Sequence, residues 1–202
     1  MSKTILVATG NPAKKKLFNY IFNEIGFEPV FLDSLNLCNE KIIEDGKTPI
    51  ENAFKKARHF HNLTKMVTYG DDVGLEIEAL NGEPGVEARR WNGVFKDNVD
   101  DEIWLEYLLK RMEGIPLEKR TGKFVSGWAI VDSEGVEYTK KFENRFLILE
   151  KPLRPYIKGW PMSGVQYDVE YNAMFKDLPE EVQFKRILNG FKEWDLKSFL
   201  KL

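Results

Sequence analysis

The chain has 202 residues, with 30 Lys and Arg against 32 Asp and Glu, a formal net charge of −2, and 43% hydrophobic and 13% aromatic residues. That balance excludes the net basic domain expected of a protein that binds nucleic acid polymers, and the aromatic content excludes a disordered acidic tail. There is apolar material for one substantial core, either one domain or two lobes sharing a sheet.

Thr4 to Ala8 reads as a short buried strand that stops at Thr9-Gly10-Asn11 and passes directly into a helix. Asn11 suits the N-cap and Pro12 the first helical position. Leu17, Phe18, Ile21, Phe22 and Ile25 mark one face, and Gly26 closes the helix. Glu28 to Leu32 is a second extended stretch. From Pro49 the pattern is helical again, with Ile50, Ala53, Phe54, Ala57 and His61 on one stripe. Met66 to Tyr69 reads as a central strand ending in Gly70-Asp71-Asp72. The alternation of Leu75, Ile77 and Ala79 reads as a separate, half-exposed strand closed by turns at Asn81-Gly82 and Pro84-Gly85. A helix over Asp100 to Met112 carries Ile103, Trp104, Tyr107, Leu108 and Met112. Lys123 to Val131 and Val136 to Leu149 form a long hairpin turning at Ser133-Glu134-Gly135. Three prolines make Lys151 to Gly164 a bent loop, and Pro179 to Leu202 is helical, with Phe191, Trp194 and Phe199 on its apolar face.

Cys38 is the single cysteine, which favours a reducing compartment, the cytoplasm by default. The apolar run Ile5–Ala8 is shorter than the about 7–15 residues of a secretory core, and the sequence offers no stretch of the ~20 apolar residues that span a membrane. No membrane partner is expected.

Three places carry polar residues in patterns that suit chemistry. At Thr9-Gly10-Asn11, a strand delivers backbone N–H groups and a helix N-terminus to one point, which attracts phosphate. At about 100° per residue, Lys14 falls on the apolar stripe of the helix while Lys15 and Lys16 point elsewhere. Lys14 therefore either turns inward or snorkels off the helix end. Asp71 and Asp72 are neighbours on an extended segment and so point to opposite sides, with different jobs: one to hold a divalent cation, the other to orient a lysine or a loop. The alternative is a simple Asx-capped turn. Asn52 and Lys56 are spaced i, i+4 and flank the apolar stripe of the second helix, either as a polar ridge beside the core or as a solvated face.

Taken together, Thr-Gly-Asn-x-x-Lys at positions 9 to 14, Glu-Asn-Ala-x-x-Lys-Ala at 51 to 57, and Asp-Asp-x-Gly-Leu-x-x-x-Ala-Leu-x-Gly-x-Pro-Gly-Val at 71 to 86 resemble, in order and spacing, the inosine triphosphate pyrophosphatase (Ham1-like) family. The similarity continues into Ala88-Arg89-Arg90-Trp91-Asn92-Gly93. The resemblance implies one elongated α/β domain over 1–202, with a long mixed sheet, flanking helices and two lobes around a central cleft, usually as a homodimer. It also implies Mg²⁺-dependent hydrolysis of ITP, dITP and XTP to the monophosphate and pyrophosphate. The resemblance assigns Thr9, Gly10, Asn11, Lys14 and Lys56 to the triphosphate, and Asp72 to the metal and to the water's proton. Lys14 and Lys56 would then stabilise the leaving pyrophosphate opposite Asp72.

Departures from the family pattern are Leu17 in place of a Glu, Val73 in place of a Ser, and Ile43 where a metal-binding glutamate is usual. A one-residue slip makes Glu44 the second metal ligand. The base-reading half differs more. Gly159-Trp160-Pro161 and Gln166-Tyr167-Asp168 approximate the family's aromatic loop, and Lys185-Arg186 its His-Arg pair, while His59 and His61 both lie in the second helix. Trp160 would stack on a base and Arg186 would hydrogen-bond a purine oxygen; core packing and a surface role are the alternatives. Two other readings are open: a pyrophosphatase for a different modified nucleotide, or a nucleotide-binding module with weakened turnover.

Overall fold

The computed structural model describes residues 4–96, 98–194, 196 and 200. Among these residues, eight strands and four α-helices follow in the order β1 (Thr4–Val7), α1 (Pro12–Glu24), β2 (Glu28–Phe31), α2 (Pro49–Thr64), β3 (Thr68–Ile77), β4 (Pro84–Gly85), α3 (Asp101–Arg111), β5 (Thr121–Val131), β6 (Glu137–Ile148), β7 (Gln166–Asp168), β8 (Ala173–Met174) and α4 (Glu180–Lys192). The strands lie in the order β2-β1-β3-β5-β6-β7-β8, with β4 pairing with β3 off this path. β1 is parallel to β2 and β3, whereas β4, β7 and β8 pair antiparallel, so the sheet is mixed.

The chain divides into two compact units. The first comprises the described residues of Met1–Asp72, Ser126–Phe142 and Glu180–Leu202; the second comprises Val73–Val125 and Glu143–Pro179. In the first unit the period-2 alternation of strands separates two layers. Ile5 and Val7 of β1, Tyr69 of β3, and Trp128 and Ile130 of β5 share a core with Phe18, Ile21 and Phe22 of α1 and Leu188 and Phe191 of α4. The intervening residues serve the other layer, where Leu6 and Ala8 pack with Phe60 of α2, and Ala129 and Val131 pack with Ala53 and Ala57.

The approach of α2 to the sheet is close because the residues between them are small. A Cβ added to Gly70 would lie 2.3 Å from the Ala53 carbonyl oxygen, and one added to Gly127 would lie 2.3 Å from the Ile50 nitrogen. Both glycines are on strands facing α2, and both obstacles are helix backbone, which cannot step aside as a flexible side chain would. The inward face of α2 is accordingly Asn52, Ala53, Ala57, Phe60 and His61. Ile50 and Phe54, expected on that face, are only half-buried.

In the second unit Trp91, Trp104, Leu105, Leu108 and Met112 pack with Leu75, Ile77, Phe146 and Ile148. Ile103, expected on the apolar face of α3, is 54% exposed, and Leu105 takes the inward place. The buried Arg120 guanidinium donates to the carbonyls of Met112, Ile148 and Leu149 at 2.7, 2.9 and 3.3 Å, and burial pulls it below its ordinary value. The β5–β6 hairpin forms as expected. Residues 66–79 differ from expectation: Thr68–Ile77 is one continuous strand running through the Asp pair, and Pro84–Gly85 pairs with it as β4. Carboxylates held by cationic partners do not interrupt a strand, which a sequence pattern of apolar residues cannot register. The terminal helix extends over Glu180–Lys192, and Phe199 lies outside the described residues. Among the described residues no helix is long and apolar enough to cross a membrane.

Gly70→Ala and Gly127→Ala should each lower stability by about 1–3 kcal/mol and Tm by roughly 2–12 °C. Gly10→Ala, whose added Cβ meets nothing within 4 Å, should stay within about 0.5 kcal/mol of the parent. Thermal and urea unfolding of the three variants check this.

Candidate functional site

The site begins at the end of β1. Asn11 caps α1, its side-chain oxygen accepting from the N–H groups of Ala13 and Lys14 at 2.9 and 3.3 Å. The Asn11 N–H in turn donates to Thr9 Oγ1 at 3.2 Å, and Pro12 contributes no N–H. The helix N-terminus, expected to face an anion, is therefore largely satisfied by its own cap. The donors this loop still offers include the Gly10 N–H and the Asn11 side-chain amide, both on exposed residues, the hydroxyl proton of the buried Thr9, and Lys14.

The lysines of α1 separate as their spacing requires. Lys15 pairs with Asp33 at 2.8 Å and Lys16 with Glu180 at 2.6 Å, whereas Lys14 turns toward the sheet and places its ammonium 2.6 Å from Asp71 Oδ2. Asp71 is on the same strand face as Tyr69, two residues before it, and this face carries α1. Its residue surface is 3% exposed, so Lys14 is the counter-ion of a buried carboxylate. The Tyr69 hydroxyl is buried without a hydrogen-bond partner; desolvation and the Asp71 charge push its ionisation far upward, keeping it neutral.

Asp72 points to the opposite face, with Gly70, and meets α2. Its Oδ1 lies 3.4 Å from Lys56 Nζ, and its Oδ2 accepts from Asn52 Nδ2 at 3.1 Å. Lys56 also donates to the Asp71 carbonyl at 3.0 Å and pairs with Glu44 Oε2 at 2.7 Å. Burial works against the Lys56 charge, but the Asp72, Glu44 and Asp71 carboxylates together outweigh it and hold the ammonium above its ordinary value. The two aspartates thus serve opposite helices, as their adjacency on a strand implied.

Lys14 pairs with Asp71, not with Asp72, and each lysine already has an acidic partner. With two ammonium groups beside Asp71, Asp72 and Glu44, the cluster carries a net charge of −1. Glu44 joins it while Ile43, at the usual position of a metal-binding glutamate, is 77% exposed. Glu44 and Asp72 reach one cation from separate segments, and carboxylate oxygens are the donors that hard divalent ions prefer. These two residues therefore fit a divalent metal. No group of three or more His, Cys, Asp or Glu converges among the described residues, so such an ion would complete its shell with water and phosphate oxygens.

Asn52 is the member of this cluster whose importance the sequence understated. Its place beside the stripe suggested a ridge or a solvated face, yet it is 2% exposed. The signal in the sequence was a polar amide directly before Ala53 on the apolar stripe; that Ala53 is a point of close helix–sheet approach appears only in the structure. Trp160 belongs to the second unit, where its half-buried ring meets Phe175 edge-on at 5.8 Å. Arg186 is half-buried on α4. A cavity of about 590 Å³ in the second unit, lined by residues including Lys110, Glu113, Arg120, Glu150 and Lys151, contains none of the expected site residues.

Known proteins share this arrangement of sequence and fold. The model of the Ham1 family matches residues 5–160. The chain is 36% identical over 179 residues to a dITP/XTP pyrophosphatase of Geobacter sulfurreducens, covering 89% of this chain and 87% of that protein. It is 40% identical over 124 residues to a dITP/XTP pyrophosphatase of Photobacterium profundum, where the match spans 61% of this chain and 60% of the relative, less than two thirds of its length. Among solved structures, a nucleoside-triphosphatase / dITP/XTP pyrophosphatase from Mycobacterium abscessus superposes with a TM-score of 0.71 at 28% identity, over 96% of this chain and 97% of that one. With a family match over most of its length and a relative aligned almost end to end, the chain belongs to the Ham1 family.

Proposed function

We propose that this protein hydrolyses deaminated purine nucleoside triphosphates, ITP, dITP and XTP, to the monophosphate and pyrophosphate. The observation that carries the proposal is the pairing at the adjacent aspartates of β3, where Lys14 meets Asp71 on one face and Lys56 meets Asp72 and Glu44 on the other. The substrate class follows the names of the relatives and the family match.

The charges of the site bear on the need for a metal. A cluster with net charge −1 does not by itself attract a polyanion. A divalent ion held by Glu44 and Asp72 would reverse the sign, and we assign Mg²⁺ to these two residues. When bound, Mg²⁺ supplies charge neutralisation on the phosphate oxygens and lowers the pKa of water. The chain's own residues supply the rest. Gly10 N–H and the Asn11 amide orient the phosphate chain, and Lys14 and Lys56 stabilise the charge that accumulates on the departing pyrophosphate. Asp72 accepts a proton from the attacking water as the water oxygen bonds to the α-phosphorus. The bond from that phosphorus to the bridging oxygen breaks, and the electron pair leaves with pyrophosphate. Trp160 and Arg186 are assigned to the base, and the protein is taken as a cytoplasmic homodimer; light scattering in solution tests the dimer.

Pyrophosphate release should be faster, by kcat/KM, from ITP, dITP and XTP than from ATP and GTP in the presence of Mg²⁺. Equal rates on all five would remove the substrate class. Asp72→Asn should lower kcat by about 10²–10⁴-fold, and an undiminished rate would take Asp72 out of the mechanism.

Lys14→Met should cost stability as well as rate, because it strands the buried Asp71 carboxylate; the loss expected is about 3–5 kcal/mol. Adding Asp71→Asn to it should recover part of that loss in urea unfolding but none of the rate. For Lys56, whose folded value is raised above the ordinary 10.5, the charge contributes to stability below that value and is lost as pH rises through the folded one. The stability gap between the parent and Lys56→Met should therefore be level from about pH 7 to 10 and narrow only at higher pH.

A further inference from the structure

The segment carrying Glu44 runs back along the first turns of α2. Asp45 pairs with Lys55, the Gly46 N–H donates to Asn52 Oδ1 at 2.8 Å, and the Lys47 N–H donates to Glu51 Oε2 at 2.7 Å. These ties differ greatly in weight. The side chain of Asp45 is 70% exposed, so its ion pair contributes little, and the Lys47 bond is also at the surface. The Asn52 amide is 2% exposed and has both ends engaged, Oδ1 by Gly46 and Nδ2 by Asp72. A backbone N–H can only donate and an ionised carboxylate can only accept, so this orientation of the amide is the one that satisfies both partners. A buried amide costs free energy whenever a partner moves away. It therefore acts as a two-ended clamp between the loop of Glu44 and the strand of Asp72.

We propose that Asn52 is a positioning residue that sets the separation of the Glu44 and Asp72 carboxylates and so determines the affinity of the divalent-metal site, a proposal that rests on the two-carboxylate assignment above. Lys56 alone does not fix that separation, because a flexible ammonium adapts to several geometries, whereas a planar amide with two bonded ends does not. Gly46 is part of the same device. A Cβ added there would lie 2.6 Å from Asn52 Oδ1 and 2.8 Å from Glu51 Cβ, so the loop approaches the amide closely only with glycine at this position.

The test uses Mn²⁺ in place of Mg²⁺, with free Mn²⁺ followed by EPR on the full-length protein without nucleotide. Asn52→Ala removes the clamp from the helix side, and Gly46→Ala displaces it from the loop side without touching Asp72. Each should raise the Mn²⁺ dissociation constant about ten-fold or more. In a Glu44→Gln background, Gly46→Ala should have less than a two-fold further effect, since the loop then no longer presents a ligand. The Mg²⁺ concentration for half-maximal turnover should rise in parallel, with little change in KM for the nucleotide at saturating metal. If Asn52→Ala fails to fold, Asn52→Ser and Gly46→Ala carry the same test. Folded variants that bind Mn²⁺ within two-fold of the parent, or effects of Gly46→Ala and Glu44→Gln that simply add, would overturn the role of Asn52. A parent protein that binds no Mn²⁺ would instead overturn the two-carboxylate site itself.

Discussion

Consecutive residues of one β-strand face opposite sides of a sheet, and the site depends on that constraint. Asp71 turns to α1 and takes Lys14; Asp72 turns to α2 and takes Lys56 and Asn52. A turn at this position would break that alternation, and the two carboxylates would no longer be directed to opposite helices. The strand remains regular through two adjacent charges because each has a cation within reach. Asp71, buried at 3% exposure, would otherwise be costly.

The same strand sets how near the second helix comes. Gly70 and Gly127 remove side chains from the surface under α2, and Ala53, Ala57 and Ala129 continue the small-residue contact. Close approach is a packing solution with a chemical consequence. It places Asn52 and Lys56 within hydrogen-bonding distance of Asp72 and of the Asp71 carbonyl. Larger residues at the interface would widen the spacing and separate the lysine from its carboxylates. On the other layer Tyr69, Phe18, Phe22 and Phe191 make an aromatic core beneath the Lys14–Asp71 pair, with ring centroids 4.9–6.3 Å apart. That core keeps the Asp71 end of the pair out of water, while the Lys14 side chain stays partly exposed, and so makes the carboxylate depend on its cationic partner.

The charge of the cluster follows from these placements. Its three carboxylates and two ammonium groups leave it slightly negative, although the family's substrates are polyanions. A divalent cation resolves that conflict in the proposed function, and Glu44 and Asp72 are the residues placed to receive it. The near-zero net charge of the whole chain is consistent with a small ligand whose charge is neutralised locally, where no extended basic surface is required.

Most of the first unit was legible in the sequence. The Asn11-Pro12 start of α1 follows from local capping rules, and 100° rotation and strand alternation offered the inward Lys14 and the diverging Asp71 and Asp72 as one of two readings each, which the structure decided. The β5–β6 hairpin was legible too, and the three ordered motifs carried the family. What those rules could not reach were relations between segments distant in sequence. Lys14 and Asp71 are 57 residues apart, and neither residue's surroundings specify the other. The burial of Asn52 depends on how deeply α2 settles on glycines of β3 and β5. The entry of Glu44 in place of Ile43 depends on a loop whose register is set by hydrogen bonds to that helix. Local sequence limited which way each side chain could face; only tertiary packing decided which of them meet, because contact distances depend on the bulk of residues contributed by other elements.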